Sequence, residues 1–222
     1  MINFENFDLD TIVARMIVLL IAFTIHELAH AITADYLGDP TPRSQGRITL
    51  NPLKHLDPFG TIMLLISGFG WAKPVMVNPY NLRGNYRTSM AIVAIMGPIS
   101  NLVMAILGAI PLRLTEFMPI TFLLSPTWDK LSFLLIQFVW INLILMFFNL
   151  IPIPPLDGYK VLQGALPPEM GEQLRPLERY GFMILMFAIF ILPRMGIDIL
   201  GIFVMTPAGI LLEAFTGLNF GF

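Results

Sequence analysis

Two histidines four residues apart, with a glutamate directly after the first, carry the most reactive pattern in this chain: His26-Glu27-Leu28-Ala29-His30. On a helix, residues i and i+4 lie one above the other on the same face. His26 and His30 can therefore offer two nitrogens to one cation, and the spacing suits a tetrahedral Zn²⁺. Glu27 has the reach of a general base toward water at such a metal. The chain has three histidines and no cysteine, so thiolate ligands and disulfides are excluded. A metal here must take His, Asp or Glu. The pair lies inside an apolar run from Thr11 to Leu37. Charge at membrane depth is costly, so a glutamate flanked by two histidines there points to function rather than packing.

A catalytic zinc takes three protein ligands and keeps its fourth place open. Two residues compete for third ligand. His55 stands in a polar stretch. Asp157 is the better candidate, because it follows the Pro-broken Asn149-Leu150-Ile151-Pro152-Ile153-Pro154-Pro155-Leu156 at the end of an apolar segment. Broken backbone at membrane depth is tolerated only where it is buried in protein or lines a watery cavity. The plainer reading of Asp157 is a turn aspartate before Gly158. Asn101 and Asn149 either position substrate or bond neighbouring helices. Gly97-Pro98 reads as a helix kink, and Trp71 as an interface anchor rather than a substrate contact.

The elements that must position these residues follow from composition and hydropathy. Hydrophobic residues make up 56% of the chain and charged ones 13%, against about 25% charged in soluble domains. We expect an all-α polytopic membrane protein. Three long core helices are predicted over 12–37, 88–112 and 131–151. The first is about 39 Å long, enough to cross with some tilt. The apolar stretch 58–70 is too short for a hydrocarbon core of ~30 Å and reads as a re-entrant segment. Gly46-Arg47-Ile48-Thr49-Leu50 alternates like a strand, which predicts a small β-hairpin-like insertion. One or two C-terminal helices follow a charged connector, over 181–193 and 195–216. The acidic start Met1–Asp10 lacks the positive region of a cleavable signal peptide. The expected organisation is a single membrane-embedded domain, 1–222, with its core at 12–165 and C-terminal helical segments at 178–218. The net charge of −2 brings no basic stripe, so no nucleic-acid partner is expected.

His26–His30, Gly97-Pro98-Ile99-Ser100-Asn101 and Asn149–Gly158 together resemble the site-2 protease family of intramembrane zinc metalloproteases. Asn51–Gly60 and Gly68–Pro79 resemble its compact prokaryotic branch, without a fused PDZ-like or nucleotide-sensing domain. The resemblance covers roughly residues 12–165. It implies zinc, one per chain, on His26, His30 and Asp157, with Glu27 as catalytic base. It also implies an intramembrane endopeptidase whose partners are the lipid bilayer and a transmembrane segment of another membrane protein. The rival reading is a non-proteolytic zinc-binding scaffold or metal carrier. A carrier needs further ligands along a path, and a scaffold has no need of Glu27. Homo-oligomerisation is left open.

Charge counting bears on orientation. If 58–70 returns without crossing, one face carries Arg43, Arg47, Lys54, Lys73, Arg83, Arg87, Lys160, Arg175 and Arg179. The other carries Arg15, Arg113, Lys130 and Arg194. The richer face is expected to be cytoplasmic. The chain is then a multi-pass cell-membrane protein with its active site near the cytoplasmic side.

Overall fold

The computed structural model describes residues 9–67 and 70–221. Residues 1–8, most of the acidic N-terminal stretch, and residues 68 and 69 of the re-entrant segment lie outside the described part. Ten α-helices are described in chain order: α1 (Leu9–Tyr36), α2 (Thr41–Ser44), α3 (Pro58–Ser67), α4 (Tyr86–Arg113), α5 (Ile120–Leu123), α6 (Pro126–Asn149), α7 (Asp157–Ala165), α8 (Pro168–Leu174), α9 (Gly181–Phe190) and α10 (Thr206–Thr216). Three of them, α1, α4 and α6, are long and apolar enough to cross a membrane. Asn85 caps α4 by accepting from the Arg87 N–H, and Ser125 caps α6 by accepting from Trp128, with Pro126 at the first turn. These are the side chains that supply acceptors to unpaired helix-start N–H groups.

The three long helices run up, down and up. His30 Nδ1 lies 2.8 Å from the Val93 carbonyl and His26 Nδ1 2.6 Å from Asn101 Oδ1, so α4 is antiparallel to α1. Asn101 meets Asn142 at 2.9 Å while Gly108 faces Phe138 and Val139, so α6 is antiparallel to α4. Tyr36, Tyr86 and Asn149 therefore share one end of the bundle. The connection 37–85 returns to the end it left, and its ten-residue helix α3 cannot be a lone crossing between α1 and α4.

Packing is inside-small and outside-large. Ala14, Ala22, Ala31 and Ala34 of α1 and Ala94, Gly97, Ala105 and Ala109 of α4 are buried, whereas Ile17, Ile21, Ile92, Ile106 and Leu107 are exposed. Small residues let helix backbones approach closely, and the outward isoleucines suit lipid rather than water. Two C-terminal helices complete the bundle. Ala208 and Leu212 of α10 pack with Ala105, Ala109, Val139 and Leu143, and Leu185 of α9 packs with Ile151, Leu156 and Val204.

The expected β-hairpin-like insertion is not formed: among the described residues there is no strand, and one isolated bridge joins Leu56 to Ala72. The backbone of 46–50 is used up locally. Arg47 N donates to the Pro42 carbonyl at 2.9 Å, Thr49 N to Arg47 at 3.1 Å, and the Thr49 carbonyl faces His55 Nε2 at 2.9 Å. Alternating sequence makes a strand only when a ladder partner takes those groups.

Asp39 ties the two ends of this connection together. Its carboxylate accepts from the Asn78 N–H (2.7 Å), Asn81 Nδ2 (2.9 Å), Thr41 Oγ1 (2.6 Å) and the Thr41 N–H (3.1 Å). Burial pushes this carboxyl up, but the donors of Thr41, Asn81 and Asn78 outweigh it and hold the pKa below the ordinary value. Asp39→Ala should cost roughly 2–3 kcal/mol through stranded buried donors, read as a lower thermal midpoint in detergent. Because the folded pKa is depressed, Asp39's contribution is complete above the unfolded value of about 3.9. It is lost as the pH falls through the folded value. A midpoint equal to wild type at pH 7 would contradict this.

Candidate active site

His26, Glu27 and His30 lie in the C-terminal half of α1, all three buried. Asp157 reaches them because α6 stops at Asn149. Pro152, Pro154 and Pro155 cannot continue a helix, so the chain turns back and restarts as α7 at Asp157. Gly158 permits the tight return, since a Cβ there would overlap the carbonyls of Leu150 and Ile151. The result is a compact triangle. His26 Nε2 lies 3.0 Å from His30 Nε2, and Asp157 Oδ2 lies 3.1 and 3.2 Å from those two nitrogens. Among the described residues this is the single group of three His, Asp or Glu able to share a metal ion.

The hydrogen bonds behind the rings set their tautomers. Asn142 Nδ2 donates to the Phe138 carbonyl at 2.8 Å, which turns Asn142 Oδ1 toward Asn101. Asn101 Nδ2 donates to that oxygen at 2.9 Å, which turns Asn101 Oδ1 toward His26. His26 must then donate from Nδ1. His30 likewise donates from Nδ1 to the Val93 carbonyl. Neutral rings so held present bare lone pairs at both Nε2 atoms. Two imidazole lone pairs and a carboxylate oxygen then converge, which is a three-ligand zinc donor set. Ligands about 2.0–2.1 Å from a tetrahedral ion stand ~3.3 Å apart, close to the observed separations, so the residues fit zinc.

Gly97 makes room for this arrangement, because a Cβ there would run into both imidazoles. It therefore does more than kink α4. Glu27 sits beside the triangle, its Oε2 accepting from the Val75 N–H at 3.0 Å. Arg47 Nη2 is 3.7 Å from the same oxygen. A cavity of about 420 Å³ opens onto these groups, and its apolar lining includes Phe23, Trp71, Phe148, Phe182 and Met186. Trp71, expected as an interface anchor, thus borders the cavity. Asn149 borders it too, donating its Nδ2 to the Leu145 carbonyl of its own helix at 2.9 Å.

His55 is not brought to the site. It is fully buried in the 38–57 loop, where its Nε2 meets the Thr49 carbonyl. Sequence reasoning missed Asn142, Arg47 and the Val75 N–H. An amide in the middle of an apolar helix was a usable signal for Asn142, while nothing local marks a backbone N–H as a glutamate's partner.

Residues 118–192 match peptidase family M50. YwhC of Bacillus subtilis (strain 168), named as a candidate zinc metalloprotease, is 40% identical over 207 residues, covering 92% of this chain and 90% of that protein. The chain belongs to peptidase family M50. Rip2 of Mycolicibacterium smegmatis, named in the same way, is 31% identical over 172 residues, covering 74% of this chain and 62% of that protein. Rip2 of Mycobacterium tuberculosis (strain H37Rv) is 32% identical over 183 residues, covering 80% and 66%. No solved structure matches the chain. The resemblance to the site-2 proteases therefore holds, and the M50 enzyme class is metalloendopeptidase.

The amide relay yields a prediction. Asn142→Ala frees Asn101 to turn, so zinc affinity measured by chelator competition should fall about 10- to 100-fold, the usual cost of losing a ligand's outer partner. Gly97→Ala should lower zinc occupancy further, because the imidazoles must shift. Wild-type affinity in both variants would mean that the rings are oriented by something else.

Proposed function

We propose that this M50 chain is an intramembrane zinc endopeptidase that cleaves transmembrane segments of other membrane proteins. The observation that carries the proposal is the convergence of His26, His30 and Asp157 beside Glu27, at the edge of an apolar cavity between membrane-length helices. The zinc in the names of YwhC and Rip2 supports the choice of metal. One chain supplies all three ligands, so one zinc per chain suffices and the site needs no second copy. The whole chain acts as one domain, with residues 12–165 as its catalytic core.

His26, His30 and Asp157 would hold the zinc, which when bound would supply a Lewis acid for the water and the scissile carbonyl. Glu27 takes the proton of the attacking water and passes it to the leaving amine. Asn101 acts behind His26, as a positioning group, rather than on substrate. Asn149 keeps its amide oxygen available at the cavity wall for a substrate N–H. A transmembrane helix shields its peptide bonds with its own hydrogen bonds, so a substrate must unwind locally before attack. The apolar walls can hold the unwound segment.

The distribution of charge over the bundle supports an orientation. The ends of α1 and α6 that flank the site share a side with the connection 37–85 and with α7 and α8, where nine of the thirteen Lys and Arg lie. This asymmetry supports reading the chain as a multi-pass cell-membrane protein with its site toward the cytoplasm.

Two substitutions separate the roles. Glu27→Gln should keep one zinc per chain and lose about 10²- to 10⁴-fold in cleavage of single-span peptides, the worth of a general base. Normal turnover by that variant would overturn the mechanism. Asp157→Ala should lower zinc occupancy while His55→Ala keeps it, measured by metal analysis of purified protein. The opposite pattern would exchange the third ligand.

A further inference from the structure

Arg47 is 4% exposed, yet it stands in a connecting loop outside the zinc triangle. Its guanidinium joins two separate segments. Nη1 donates to the Lys54 carbonyl at 2.9 Å, and Nη2 donates to the Lys73 carbonyl. Lys73 belongs to the extended stretch 70–77, which forms one wall of the cavity. Two residues further on, the Val75 N–H holds Glu27 Oε2, and the same Arg47 Nη2 lies 3.7 Å from that oxygen. A buried guanidinium is costly unless it is paired, and here Nη1 and Nη2 find the two loops and Glu27, while the described residues give Nε no hydrogen bond. A planar fork spreads its N–H donors over acceptors on separate segments, whereas a lysine ammonium is a compact point charge.

We propose that Arg47 is a positioning residue for Glu27. It clamps residues 73–75 over the site, so that the Val75 N–H and the guanidinium charge both bear on Oε2. Among the described residues both contacts of the carboxylate fall on Oε2, and Oε1 is the oxygen left to receive a proton. Releasing the clamp lets the carboxylate rotate and the 70–77 wall lift. The zinc ligands lie on other elements, α1 and α7, and keep their own supports. This inference rests on the reading of Glu27 as general base.

The test compares Arg47→Gln, Arg47→Lys and the control Arg43→Gln, in the full chain in detergent with a single-span peptide substrate. Arg43, four residues away, is exposed and pairs with half-buried Asp35 at 2.7 Å, away from the site. Arg47→Gln should keep wild-type zinc and a KM within about threefold, while kcat falls on the order of 100-fold, the scale expected for a misplaced catalytic group. Arg47→Lys, which keeps the charge and loses the fork, should recover part of that loss, and Arg43→Gln should match wild type. Wild-type kcat in Arg47→Gln, loss of its zinc, or a defect confined to KM would overturn the inference. Thermal midpoints of Arg47→Gln, Glu27→Gln and the double variant read the same contact without turnover. The double variant should lose less than the sum of the two single shifts, and additive shifts would count against Arg47. If the wild-type protein cleaved none of the peptides, the proteolytic reading would fail, and this thermal cycle would still decide the Arg47–Glu27 contact.

Discussion

Two hydrogen bonds, from His26 Nδ1 to Asn101 and from His30 Nδ1 to the Val93 carbonyl, decide which nitrogen each imidazole turns toward Asp157. Everything at the site depends on them. Both acceptors belong to α4, so the imidazoles carried by α1 are aimed by its antiparallel neighbour. The Asn101 amide is aimed in turn by Asn142 of α6, whose own orientation ends on a backbone carbonyl. A chain of amides across three helices thus converts bundle packing into ring orientation. In a dry interior such a chain must be fully satisfied, because each unpaired member would cost several kcal/mol.

The same dryness explains the architecture. A membrane-length helix satisfies its backbone internally, so irregular chain near the site must be buried or line a cavity. The Pro-broken link after α6 meets that condition by packing Gly158 against Leu150 and Ile151 and by delivering Asp157 to the histidines. The 37–85 connection meets it with Asp39, which collects donors from Thr41, Asn78 and Asn81 and so closes the loop on itself. Small residues on the inner faces of α1 and α4 bring the backbones close enough for these short side chains to meet.

How much of this was legible in the sequence depended on whether the signal was local. The three spans and the His26–His30 face follow from period and length alone, since hydropathy over about twenty residues and an i, i+4 pair are properties of one segment. Asp157 could be suspected because the prolines before it break a helix where an apolar run ends. The strand expected at 46–50 failed for the opposite reason. Alternation is local, but a ladder needs a partner, and here turns and the His55 ring claim the groups. Asn142, Arg47 and the Val75 N–H act across long sequence separations, and only the assembled bundle brings them to His26 and Glu27.

Zinc K-edge X-ray absorption on the purified, zinc-loaded chain tests the central claim most directly. The geometry of His26, His30 and Asp157 predicts about four light-atom neighbours near 2.0–2.1 Å, with the outer-shell scattering of two imidazoles. Asp157→Ala should change the first shell and leave both imidazole signatures in place. A six-oxygen shell without imidazole scattering, or a spectrum unmoved by Asp157→Ala, would contradict the account.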